Sequence, residues 1–131
     1  MSLRQALESR LAARLLARRT FHPHEGLHLF SSARGGSTWL MSMLSQLPGV
    51  VPMWEPLHTT KGVGRTSWGG RPHEHAMGPL DQDCLKEMMS GCMNNAWTAS
   101  RTGARQALQA QQLLFKYVRA NALLPWFLAQ P

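Results

Sequence analysis

Acidic side chains are scarce in this chain: seven Asp and Glu stand against fourteen Lys and Arg, for a formal net charge of +7. The imbalance suits polyanions: nucleotides, nucleic acid, sulfated or phosphorylated compounds, or anionic lipid. It is concentrated at the start. Arg4, Arg10, Arg14, Arg18 and Arg19 face only Glu8 there, which is +4 of the total, so the remainder is mildly basic. Cysteine is scarcer still. Cys84 and Cys92 are the two present, and their spacing fits no zinc or redox pattern. On one continuous helix they would stand about 12 Å apart along the axis, too far for a disulfide, and only a break at Gly91 would bring them together. Two buried thiols are the expectation. No run of about 20 apolar residues exists to span a bilayer, and no secretory hydrophobic region follows Met1. Internal repeats and low-complexity tracts are absent.

What is present reads as one globular domain. The 131 residues are 44% hydrophobic, enough for a modest core, though short for a nucleotide-binding transferase with its own substrate site. Leu3, Leu7, Leu11 and Leu15 recur at i+4 with Leu16 beside them, so residues 1–20 read as a basic amphipathic helix with the leucines as its packing stripe. The same Arg-rich, acid-poor segment faintly resembles a mitochondrial transit peptide. Residues 27–131 form the second unit. Leu27 to Ser32 reads as a strand, Ala33 to Ser37 as a tight loop, and a helix begins near Thr38, with Trp39, Leu40, Met43, Leu44 and Leu47 at helical spacing. Pro48-Gly49 stops it, and Val50 to Trp54 reads as a second strand with Glu55 at its C-terminal end. A parallel pair with a crossover helix accounts for that order.

Residues 56–79 are irregular, a long loop of the kind that is functional or disordered. Asp81 is expected to cap a helix through Leu85, Met88, Met89 and Cys92. Residues 94–111 are ambiguous, with helical tendency after Gly103. Leu113 to Val118 reads as a third strand, and Asn121 as the cap of a short helix that Pro125 enters in its first turn. The fold class is therefore α/β: a parallel sheet of about three strands with helices.

The segment carrying chemistry is Arg34-Gly35-Gly36-Ser37-Thr38-Trp39. A strand delivers the chain to a glycine loop, and the loop opens a helix. Such a junction turns unpaired N–H groups and the positive helix end toward an anion. Gly35 and Gly36 keep Cβ atoms out of the way, Arg34 adds a charge, and Ser37 and Thr38 add hydroxyls. It is not a Walker A loop, because the basic residue precedes the glycines and no lysine follows them. Nor is it a dinucleotide fingerprint, since Gly-x-Gly-x-x-Gly is absent. A glycine turn with no ligand is the plain alternative.

Arg34-Gly35-Gly36-Ser37-Thr38-Trp39-Leu40 resembles the 5′-phosphosulfate loop of sulfotransferases that use 3′-phosphoadenosine 5′-phosphosulfate, with Gly35 where that family usually has Ser. Leu44 to Leu57, ending in Trp54-Glu55-Pro56-Leu57, resembles the carbohydrate sulfotransferase branch, with Leu47-Pro48 in place of its His-Pro. Phe115-Lys116-Tyr117-Val118-Arg119 resembles a later strand of the family. The likeness spans residues 27–119 and is dense over 30–57. It implies a P-loop-type three-layer fold and transfer of a sulfuryl group from that donor to a hydroxyl, with carbohydrate as the acceptor class. Arg34 to Trp39 would hold the donor, and Arg34 and Glu55 would be catalytic. Glu55 is the candidate base, against a carboxylate that merely orients the loop or pairs with Arg34. His58 is a candidate acceptor contact.

Lys116 and Arg119 read as solvated strand-end charges, although the likeness suggests a structural or substrate-side role. The pairs His22/His24 and His73/His75 stand beside Pro or Gly in loops, but the family reaction needs no metal and none is expected. The family's 3′-phosphate segment, close to Arg-Asp-Pro-Arg, does not occur in these residues. The expectation is a partial domain with weak donor binding, leaving open whether it turns over. Members of the branch are usually Golgi type II membrane proteins; with no such anchor here the compartment stays open, cytoplasm being the default. Two other readings remain: a non-catalytic anion- or nucleotide-binding module on the same loop, and a basic interaction protein acting through the N-terminal helix on nucleic acid or anionic membrane. The aromatics do not interleave with the basic residues as single-strand binders require, so nucleic acid is not the expected partner.

Overall fold

A computed structural model describes residues 2–32, 34–58, 60–63, 78–118 and 120–131. It is an α/β structure whose sheet has three parallel strands, β1 (Leu27–Ser31), β2 (Val50–Met53) and β3 (Gln112–Val118). The order is β1-β3-β2. β1 and β2 are therefore not the hydrogen-bonded pair that their chain order suggests. β3 lies between them, with Phe30 opposite Tyr117 on one side and Met53 opposite Phe115 on the other. The reason is apolarity: Leu113 to Tyr117 are all buried, as a strand covered on both faces must be.

Alternation along the strands sorts the two faces. Met41 of α2 (Ser37–Leu44) packs with Val50 and Leu114 on one, beside Leu27, Leu29 and Trp54. The other carries the larger core, with Val51, Met53, Leu113, Phe115 and Tyr117 under α1 (Leu3–Ala17), α3 (Pro79–Met89), α4 (Ala104–Leu108) and α5 (Leu124–Leu128). The outer edge of β2 is not left bare, a hazard for any edge strand. Thr102 Oγ1 donates to the carbonyl of Pro52 (3.1 Å) and Gln106 Nε2 to that of Val50 (3.2 Å). Just beyond the strand, Trp54 N–H donates to the carbonyl of Thr98 (2.8 Å).

α1 packs by the face that periodicity did not favour. Its buried residues are Ser9, Ala12, Ala13 and Leu16, while Leu3, Leu7 and Leu11 are exposed. Small side chains let α1 approach α4, where Ala107 is wholly buried. Glu8 assists by accepting the N–H of Ala104 at the uncapped start of α4 (3.0 Å). α3 also differs from expectation. Gly78 is its N-cap, and Asp81 sits three residues inside, its carboxylate accepting the N–H of Gly78 (3.0 Å). Asn121 makes no side-chain cap; it opens a 3-10 turn that runs into α5, with Pro125 in the first turn as expected.

Just past α3 and its C-cap Ser90, Gly91 has a φ of 84°, in the left-handed region. That turn throws Cys92 outward, so it is exposed and not buried, while Cys84 is partly buried with Sγ 3.4 Å from Met93 Sδ; no disulfide joins the two. A Cβ at Gly91 would stand 2.8 Å from Phe21 Cδ2 and 3.1 Å from Leu113 Cδ1. Gly91→Ala therefore combines left-handed strain with overpacking and should lower unfolding free energy by about 2–4 kcal/mol. A urea midpoint close to the parent's would show that Phe21 yields at little cost.

Candidate functional site

The three parallel strands deliver their C-terminal ends to one edge, where open α/β sheets place ligands. β1 leads through Ser31 into the glycine loop, and the loop opens α2. Arg34 (φ 62°) and Gly36 (φ 81°) both lie in the left-handed region. Gly36 is the N-cap of α2 and brings no side-chain cap, so the first-turn N–H groups keep their hydrogen-bonding capacity. Gly35 is spent locally: its N–H donates to the carbonyl of Ser32 (3.1 Å). The donors the junction offers begin at Gly36. Arg34 and Gly36 are exposed, as is Trp39 at 68%. Ser31 Oγ donates to Ser37 Oγ (2.8 Å), tying the strand end to the helix start.

The group at the centre is Lys116. It lies in the buried middle strand, is 4% exposed, and is no solvated charge. Its Nζ donates to Thr38 Oγ1 (3.1 Å) and to Glu55 Oε1 (3.0 Å), the latter an ion pair with a carboxylate 19% exposed. The Trp54 ring centroid is 3.9 Å from the same Nζ. A buried ammonium needs such partners, since desolvation would otherwise cost several kcal/mol. Lys116 thus joins the first turn of α2 to the end of β2, and Glu55 pairs with it and not with Arg34.

Glu55 is held in an unusual conformation, with φ 37°. Its carbonyl accepts Trp97 Nε1–H (3.3 Å) and the N–H of His58 (3.0 Å), which pins the turn. Non-glycine residues in this region are uncommon, and the strain is sustained only where surroundings impose it. Around it the aromatic and cationic side chains collect. Trp54 and Trp97 are 6.5 Å apart edge to face, Arg101 lies 4.2 Å from the Trp54 centroid, and Lys61 lies 4.6 Å from that of Trp97. His58 packs on Trp97 (5.3 Å), and its Nδ1 is taken by the N–H groups of Thr60 and Lys61 (3.3 Å each). No family model, curated protein or solved structure matches this chain. The likeness to sulfotransferases rests on the chain's own residues.

So the structure gathers Arg34 to Trp39, Glu55 and Lys116 at one edge. Sequence reasoning undervalued Lys116, although a lysine inside Leu113-Leu114-Phe115-Lys116-Tyr117 carries a signal: a central strand offers no water, so its charge must be paired. Trp97 and Arg101 were missed because they come from a segment with no periodicity. Arg119, His73 and His75 lie outside the described residues. The His22 and His24 rings lie 5.5 Å apart, tilted at 43°, and among the described residues no group of three or more His, Cys, Asp or Glu is gathered as a metal site.

A second concavity of about 530 Å³ opens on the opposite face, between His28, Phe30, Met89 and Phe127. His28 there is structural. Its Nδ1 meets Tyr117 Oη at 2.9 Å, and its ring stacks on Phe115 (5.1 Å). Burial lowers its pKa to about 4, outweighing a hydrogen bond with the backbone of Pro23, and pushes the wholly buried Tyr117 hydroxyl well above its ordinary value. The pair is a neutral hydrogen bond, not an acid–base couple.

Proposed function

We propose that this is a P-loop-type sulfotransferase domain that takes the phosphosulfate end of 3′-phosphoadenosine 5′-phosphosulfate at the loop from Arg34 to Trp39. The observation that carries the reading is the buried Lys116 ammonium, 3.1 Å from Thr38 Oγ1 at the start of α2. A fixed cation, a serine and a threonine, and the uncapped N-terminus of an eight-residue helix converge where a phosphate or sulfate would meet them. In transfer, an acceptor hydroxyl oxygen attacks sulfur, the sulfur–oxygen bond to the phosphate breaks, and adenosine 3′,5′-bisphosphate leaves. Arg34, Lys116 and the first-turn N–H groups would stabilise the charge growing on the departing phosphate. Glu55 would take the acceptor's proton.

One observation favours the non-catalytic alternative. Glu55 is engaged by Lys116, and a base so held must be released before it accepts a proton. Calorimetric titration with adenosine 3′,5′-bisphosphate, with Arg34→Ala alongside, tests the common ground. Saturable binding weakened roughly tenfold or more in the variant is expected, as for loss of one charge-assisted contact. Arg34 is exposed, so its loss leaves the fold intact, and absence of binding by a folded chain removes the sulfotransferase reading. Sulfuryl transfer that Glu55→Gln abolishes would then separate enzyme from binding module.

A further inference from the structure

α1 turns outward the side chains a helix normally buries. Leu3, Leu7 and Leu11 are 78%, 56% and 49% exposed. At about 100° per residue these leucines and Arg4, Arg14 and Arg18 fall in one arc of roughly 100°, opposite the buried Ser9, Ala12, Ala13 and Leu16. Arg10 flanks the arc, and these four arginines are all exposed. The helix's one carboxylate, Glu8, lies outside the arc and is engaged with the N–H of Ala104. The outward face is thus leucine and arginine with no acid among them. Arg19, by contrast, turns inward, donating to the carbonyl of Ala107 (3.3 Å).

Charge complementarity selects the occupant. A polynucleotide would pair with the arginines and leave three leucines in water. A second copy would bring two sets of arginines against each other, a costly like-charge contact. An anionic lipid surface meets both demands: the leucines enter the acyl boundary, and the long arginine stems lie along it while their guanidinium groups reach the phosphates. We propose that α1 is a membrane-surface element, laying Leu3, Leu7 and Leu11 on anionic lipid while its alanine face stays docked on α4. The surface is independent of the anion loop at the sheet edge.

The experiment is co-sedimentation of the whole chain with vesicles of phosphatidylcholine, and with vesicles of phosphatidylcholine and phosphatidylserine. Partition onto the mixed vesicles alone is expected. Arg4→Gln/Arg14→Gln should weaken it roughly 30-fold. Leu7→Ser/Leu11→Ser keeps every charge and should weaken it at least as much. Both variants change outward residues only, so near-native circular dichroism is expected of each. Failure to bind mixed vesicles, equal binding to both kinds, or full binding by the leucine variant would each overturn the proposal. So would a DNA oligonucleotide bound in place of lipid and equally well by the leucine variant, or a dimer that the leucine substitutions dissolve.

Discussion

Replacing Lys116 with methionine is expected to lower the unfolding free energy by about 2–3 kcal/mol. The methionine fills the channel of the lysine stem but leaves Glu55 and Thr38 Oγ1 without the ammonium they share. A fully buried pair broken in this way costs about 3–5 kcal/mol, and the partial exposure of Glu55 reduces that. A solvated pair would cost less than about 1 kcal/mol, so urea denaturation distinguishes the two cases. Adding Glu55→Gln should recover about half the loss, since no unpaired carboxylate then remains. Affinity for adenosine 3′,5′-bisphosphate should drop about 10- to 100-fold in Lys116→Met, the worth of a charge-assisted hydrogen bond. Lys116→Arg should not restore it, because a planar fork does not fit where a compact ammonium bridges Thr38 and Glu55. Unaltered affinity in a folded Lys116→Met variant would make the lysine a purely structural strut.

Acid should destabilise the protein through His28. The free side chain titrates near 6.5, and in the fold burial lowers this to about 4. Between these values the unfolded chain holds a proton that the folded chain does not, so stability falls as pH drops below about 6.5 and the loss is complete near 4. At about 1.4 kcal/mol per pH unit the loss approaches roughly 3 kcal/mol. His28→Phe alone would strand the buried Tyr117 hydroxyl at about 1–3 kcal/mol. His28→Phe paired with Tyr117→Phe avoids that and serves as the comparison. Urea midpoints followed from neutral to acid pH should fall less steeply in the double variant, and parallel profiles would show that His28 ionises freely in the fold.

Much of the local structure was legible in the sequence. The strand, loop and helix from Leu27 to Leu44 follow from an apolar run, two glycines and a helical repeat, which are properties of neighbouring residues. The same holds for β2 up to Glu55 and for the helix carrying Leu85, Met88 and Met89. The glycine loop could be located because glycine position and strand-to-helix order are chemical facts of a short segment. The inner face of α1 and the ends of α3 could not be read in this way. The leucine stripe of α1 signals a helix but not its inner face, which is set by how closely α4 can approach: Ala12 and Ala13 face inward with Leu16, and Leu3, Leu7 and Leu11 turn out. Asp81 does cap α3, but from three residues inside it, and Cys92 was misplaced, because the ends of α3 depend on Gly78 and Gly91 taking up the chain's turns.

The sequence by itself determined which segments are strands, where the glycine loop opens a helix, and that positive charge crowds the N-terminal helix, because each depends on residues a few positions apart. The tertiary structure alone decided that β3 lies between β1 and β2. That placement brings Lys116 within reach of residues 78 and 61 positions away in the chain. A lysine looks alike in sequence whether it ends in water or in a core. Only the packing of a strand on both sides and on both faces takes the water away and obliges the charge to find Glu55.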